Sequence, residues 1–308
     1  MTKVIVKKSE IKEIEMDLTG LCNLECPLCT RNYAHAKHLI GKNIRPIEEI
    51  IKQLDQYTGL ERFFIAGAVS EPTMYKYFDE FIDYLNSRDI YYELFTNGNT
   101  HNPEWWEQLG KRIPKKCMVA FTICGSTQAM HEIYRVGSDL QQIIEHARAV
   151  RKNGLKNDWI QHIRFDYNSE DLKTEAMQNI IKEFSNFMPV ETEGIRRINE
   201  YNKPFPINVK PMAIRDKTIK QLFKNRPLVG DGKKYDIQCR SLEQKKIYIN
   251  QYGQASACYT HAEFEQDYFT AEGDMDYSDI LEVNYPDCFL CEKRTRTFIE
   301  KMGLDFVC

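Results

Sequence analysis

The chain has 308 residues and a formal net charge of -3 at pH 7, with an isoelectric point near 6.2. That length supports one large domain or a domain with an appendage, and the balanced charge offers no general electrostatic basis for nucleic-acid binding. The opening MTKVIVKKSEIKEIEMDL lacks the continuous apolar core of a signal peptide, and nowhere do about 18 uncharged apolar residues run together, so no membrane association and a cytoplasmic location are expected.

Short β-rich runs alternate with amphipathic stretches along the chain. EIKEIEMDL reads as a strand, PIEEIIKQLDQY as a helix, RFFIAGAV as an apolar strand and YKYFDEFIDYLNSR as a helix. YYELFTNG then reads as a strand, NPEWWEQLGKRI as a helix with an Asn cap and Pro in its first turn, and MVAFTICG as a strand. SDLQQIIEHARAVRKNG predicts a helix capped by Ser138 and stopped at Gly154; WIQHIRFDY predicts a strand and KTEAMQNIIKEFSNF a helix, the alternation ending near residue 188. Such alternation means parallel strands joined by crossover helices, in an open sheet or a barrel. The stretch NEYNKPFPINVKPMAIRD suggests a last barrel strand or two and a connector, and KKIYINQYGQASACY reads as a β-hairpin turning at Tyr252-Gly253.

Ten cysteines in a reducing compartment read as metal ligands or reactive thiols before disulfides. Three of them, Cys22, Cys26 and Cys29, fall within DLTGLCNLECPLCTRN, directly after the first long strand. Structural zinc takes four ligands, whereas a four-iron cubane held by three thiolates leaves one iron open. A three-Cys zinc site completed by a distant His, and a disulfide with a spare thiol, are the other readings of the spacing.

The Cys-x3-Cys-x2-Cys string resembles the signature of the radical S-adenosylmethionine (SAM) enzymes, in which the open iron is chelated by the cosubstrate. Its companions follow in order. AGAVSEP is similar to the family's Gly-rich segment, which implies cofactor roles for Gly67 and for Glu71, toward the methionine amino group; Ser70 stands where a Gly is usual. Phe95-Thr96-Asn97-Gly98 resembles the family's Thr-Asn-Gly. FTICGSTQAMHEIYRVG resembles its fourth-strand segment, implying cofactor binding by Thr122 and a guanidinium for the methionine carboxylate from Arg135; Cys124 replaces a frequent Asp. Asn168 in WIQHIRFDYN matches a later Asn. Leu28 stands where an aromatic residue is common, so adenine contact there would rest on backbone and aliphatic packing. The resemblance implies an α/β fold, an incomplete parallel (β/α)6 TIM-like barrel, with a [4Fe-4S] cluster, SAM and a low-potential electron donor of flavodoxin or ferredoxin type. It also implies reductive cleavage of SAM to methionine and a 5′-deoxyadenosyl radical that takes hydrogen from substrate.

A second set, Cys239, Cys258, Cys288 and Cys291, resembles the twitch domain, a shortened SPASM extension, which implies an auxiliary [4Fe-4S] cluster; a zinc ribbon is the alternative on the same four thiols. The expected organisation is a barrel core over 1–200, last barrel elements and a connector over 201–238, and a small C-terminal auxiliary domain over 239–308. Cys117 and Cys124 read as buried apolar residues, Cys308 as a surface thiol, His35 and His38 as exposed loop residues, and Trp105 and Trp106 as packing; Tyr134 suits either substrate contact or packing. The expected activity is a radical oxidoreductase acting on a small molecule, with the auxiliary cluster accepting the substrate radical's electron. The alternatives are maturation of a ribosomally made peptide, although no peptide-recognition segment is evident before the first long strand, and a noncatalytic iron–sulfur carrier.

Overall fold

The computed structural model describes residues 5–27, 29, 31, 40–41, 44–67, 69–165, 167–168, 170–191, 239–257 and 274–276. After a two-residue strand, β1 (Ile5–Val6), the chain runs β2 (Glu13–Met16), α1 (Ile47–Leu54), β3 (Arg62–Ile65), α2 (Phe78–Ser87), β4 (Tyr91–Thr96), α3 (Pro103–Arg112), β5 (Met118–Thr122), α4 (Gln128–Tyr134), α5 (Leu140–Arg151), β6 (Asp158–Arg164), α6 (Glu175–Lys182) and β7 (Asn186–Glu191). Near the C-terminus come α7 (Arg240–Gln244), β8 (Lys246–Ile249), β9 (Ala255–Ser256) and β10 (Met275–Asp276). Strands β2 to β7 pair each with the next, all parallel, which is the incomplete six-unit barrel that the alternation and the resemblance imply.

The strand period sorts the side chains. Ile14 and Met16, Phe63 and Ile65, Tyr92 and Leu94, Val119 and Phe121 occupy alternate positions and join one core with Ile50 and Leu54 of α1, Phe81 and Leu85 of α2, Trp106 of α3 and Ile143 and Val150 of α5. Burying each such side chain contributes about 1.5 to 3 kcal/mol. The other strand face is charged: Arg62 meets Glu13 at 3.8 Å and is bonded to Glu93, while Lys246 meets Glu15 at 2.8 Å. Trp106 is fully buried and donates to Thr100 O at 2.8 Å, while Trp105 stacks on His101, so both tryptophans pack.

Several local expectations are corrected. The helix after residue 175 stops at Lys182, because Ser185 donates to Asp158 Oδ1 at 2.6 Å and Asn186 enters register with Trp159; the sixth barrel strand therefore starts inside the segment expected to be helix. Pro189 is tolerated in β7 because it is the outer strand among the described residues. Helix α5 is capped by Asp139, whose Oδ1 accepts from Gln142 N at 3.0 Å, and not by Ser138; both are good cap residues, and Ser138 lies one position too early. Helix α4, capped by Thr127, was not expected; seven residues carry too little periodicity to announce themselves. The predicted hairpin exists, with Gly253 at φ +82° in its turn, yet it is not set apart from the barrel: β8 pairs in parallel with β2 from Glu13↔Lys246 to Met16↔Ile249.

Candidate functional site

The described residues predicted for the barrel site lie where the parallel strands end, the face at which such barrels place their chemistry. Cys22, Cys26 and Cys29 follow β2, Gly67 and Glu71 follow β3, Thr96 and Asn97 close β4, Thr122 closes β5, Arg135 ends α4 and Asn168 follows β6. Hydrogen bonds lace the cysteine loop to three of those ends. Glu71 N donates to Leu21 O at 2.8 Å, Asn97 Nδ2 to Asn23 Oδ1 at 2.8 Å, and Glu25 N to Val136 O at 3.0 Å. Arg31 adds a fourth tie, its guanidinium donating to Gly20 O at 2.8 Å and to Val69 O. Leu28 lies outside the described residues, as do His35, His38, Cys258, Cys288, Cys291 and Cys308.

Glu71 is buried and its carboxylate is fully engaged. Oε1 accepts from Thr73 Oγ1 and Thr96 Oγ1, each at 2.7 Å, and Oε2 accepts from Asn97 N at 2.7 Å. It therefore fastens the end of β3 to the end of β4. Replacing Glu71 by Gln would turn an amide NH2 toward one of these donors, so the variant should lose about 1 to 3 kcal/mol of stability in urea unfolding. Asn168 is likewise occupied: Nδ2 donates to Cys124 O and Ile163 O, each at 2.9 Å, and Oδ1 accepts from Phe165 N at 2.7 Å. Thr122 Oγ1 donates to Gln161 Oε1 at 3.0 Å. Gly67 is required by close approach, since a Cβ there would lie 2.1 Å from Ser70 O.

Arg135 is half-buried, and its Nε has no partner. Burial opposes its charge, but the thiols of Cys26 and Cys124, the Tyr134 phenol and Cys22 outweigh that and raise its pKa. One turn earlier His131 holds α4 against β5, its Nδ1 accepting from Cys124 N at 3.1 Å. The ring must be neutral to accept there, and burial, with Arg135, lowers its pKa to about 3. If the Arg135 guanidinium pairs with a ligand carboxylate, Arg135→Ala should weaken SAM binding by about 1.5 to 3 kcal/mol, read by equilibrium titration, with iron content unchanged.

The residues present fit a cluster. Cys22, Cys26 and Cys29 pack in one small cluster with Leu24, Cys124, Tyr134 and Phe165, and the Asn97 amide approaches Cys22 Sγ at 3.9 Å. Burial raises the Cys22 pKa, as do Glu71 and Cys29, while the Leu24 N–H and Arg135 lower it. Three thiols within eight residues suit a cubane, which takes one thiolate per iron. Tyr134 is buried against Phe165, with ring centroids 4.6 Å apart, which makes it a packing residue. Cys117 and Cys124 are buried as expected, and Cys239 packs into the main core ahead of α7.

Sequence reasoning passed over Asp17, Asn23 and Arg31. For Asp17 a signal existed: Glu13, Glu15 and Asp17 put a carboxylate at every second position of one strand.

A partial parallel barrel with a three-cysteine loop at its mouth defines a class of cluster-binding enzyme. Residues 16–175 match the Radical SAM superfamily model, more than half of the chain, and the protein belongs to that superfamily. Its members are enzymes, and the family implies a [4Fe-4S] cluster and SAM, here with Cys22, Cys26 and Cys29 as the candidate ligands. Among solved structures, Streptococcus suis SuiB is similar with TM-score 0.59 at 16% identity, over 94% of this chain and 67% of that one. SuiB bound to precursor peptide SuiA is similar with TM-score 0.57 at 15% identity, over 89% and 65%. Native anSMEcpe with bound AdoMet and Cp18Cys peptide is similar with TM-score 0.53 at 15% identity, over 96% and 84%. At such identities the likeness concerns the fold, and this chain spans about two thirds of the SuiB chain. No curated protein matches the sequence. Among the described residues no helix is long and apolar enough to cross a membrane.

Proposed function

We propose that this protein is a radical SAM oxidoreductase that removes hydrogen from a carbon of its substrate. The observation that carries the reading is the lacing of the Cys22–Cys29 loop to Glu71, Asn97 and the Arg135 turn, which gathers thiols, a half-buried guanidinium and strand-end donors at one mouth. Cluster and SAM, when bound, supply hydrogen-abstracting chemistry. The chain's own share is to hold the cluster through three thiols, to pair the SAM carboxylate with Arg135, and to keep the strand ends rigid through Glu71 and Asn168. The auxiliary set, Cys239, Cys258, Cys288 and Cys291, would hold a [4Fe-4S] cluster able to accept the electron that the substrate radical gives up as it loses a proton.

The substrate class this reading favours is a peptide. Two of the similar structures were solved with peptides, SuiB with SuiA and anSMEcpe with Cp18Cys, and this weighs against a small pathway alcohol. The test is anaerobic reconstitution with a flavodoxin-type reductant, followed by assay of 5′-deoxyadenosine with and without synthetic peptides encoded beside the gene. A peptide that stimulates cleavage and is recovered lacking a pair of hydrogens supports the reading. Stimulation by sugar alcohols alone would move the substrate class to small molecules. No cleavage under any reductant would leave the iron–sulfur carrier.

A further inference from the structure

Asp17 directly follows β2, is buried, and sits at a junction of three segments. Its Oδ1 accepts from Ser70 Oγ at 2.7 Å, its Oδ2 accepts from the Tyr248 hydroxyl, and the Val69 N–H also donates to it. Its own N–H donates to Ile249 O at 3.0 Å. Val69 and Ser70 belong to the loop between Gly67 and Glu71; Tyr248 and Ile249 belong to β8, the first strand of the hairpin that lies between Cys239 and Cys258. Ser70 is also the residue that departs from the family's usual Gly, and its hydroxyl is what reaches Asp17. The tie has little slack, because Gly67 and Ser70 already touch so closely that a Cβ at Gly67 would overlap Ser70 O.

We propose that Asp17 is a positioning residue through which the β8–β9 hairpin sets the conformation of the 67–71 loop and thereby the affinity for SAM. The inference rests on the reading that this loop lies against SAM, and it adds a controlling residue and a route. Asp17 accepts from both sides at once, so a shift of Tyr248 on the hairpin changes what the carboxylate offers Ser70. Ser70 in turn carries Glu71, whose carboxylate orders Thr96 and Asn97. The hairpin that follows Cys239 in the chain is thus bonded to the loop expected to hold the cosubstrate.

The test is a double-mutant cycle on the full-length, iron-loaded protein, reading the SAM dissociation constant and the steady-state cleavage parameters. Tyr248→Phe and Ser70→Ala should each raise the dissociation constant about threefold to tenfold, the effect of one lost hydrogen bond. In an Asp17→Ala background the further effect of Tyr248→Phe should disappear, because the acceptor it served is gone. The change should fall on KM, with the rate at saturating SAM within about twofold of wild type. Tyr252→Ala, an exposed position in the same hairpin, should leave binding unchanged. Unaltered SAM affinity in Tyr248→Phe and Ser70→Ala, or effects that stay additive with Asp17→Ala, would overturn the proposal; the two single variants decide it even if Asp17→Ala does not fold. Wild-type protein that binds no SAM would instead overturn the functional reading beneath it.

Discussion

Cys26→Ala should abolish 5′-deoxyadenosine formation and lower the iron content by about four per chain, one cubane's worth. Two thiolates remain in the variant, and they cannot hold three irons. Stability is a separate matter. Cys26 is buried in a small apolar cluster, and removing one sulfur from it costs on the order of 1 kcal/mol, a modest fraction of the roughly 5 to 15 kcal/mol typical of a domain. The variant should therefore keep its far-ultraviolet circular dichroism while losing the visible absorbance of the cluster. Cys117→Ala provides the comparison. Cys117 is also buried but lies in the main core, its Sγ accepting from Tyr92 N at 3.4 Å, so that variant should cost similar stability and retain both iron and cleavage. Full cleavage activity in Cys26→Ala would remove the three-cysteine loop from the chemistry.

Replacing Cys288 and Cys291 together by Ala should lower iron from about eight to about four per chain, on the reading that each cysteine set holds one four-iron cluster. The barrel site has its own three thiols and its own lacing to β3, β4 and α4, so SAM cleavage without substrate turnover should persist. Oxidised product should vanish if that cluster is the acceptor for the substrate radical. Wild-type protein with four irons and one zinc would assign the C-terminal set to a zinc ribbon. Normal product from the double variant would remove the set from electron transfer.

How much of this was legible beforehand differs by residue. Strands β2 to β6 and most helices were readable because their signal is local: apolar side chains recur at two or at three to four residues over runs long enough to count. The boundary between α6 and β7 was not, because KEFSNF suits either state, and the contact that decides it, Ser185 with Asp158, spans 27 positions. Glu71, Arg135 and Asn168 were found by resemblance, which names positions without assigning contacts. In the folded chain Glu71 and Asn168 spend their hydrogen-bonding groups on neighbouring strand ends, whereas Arg135 keeps its Nε without a partner.

The sequence by itself determined the three-cysteine string and most of the strand–helix order, because cysteine spacing and hydrophobic period are properties of neighbouring residues. The joining of the hairpin to the barrel was decided only in three dimensions. Nothing near KKIYINQY states that β8 will lie beside β2, or that Tyr248 will donate to a carboxylate 231 positions away. A parallel strand pair has no connecting turn to announce it, and a buried carboxylate finds its donors among whichever side chains the closed sheet brings to that end.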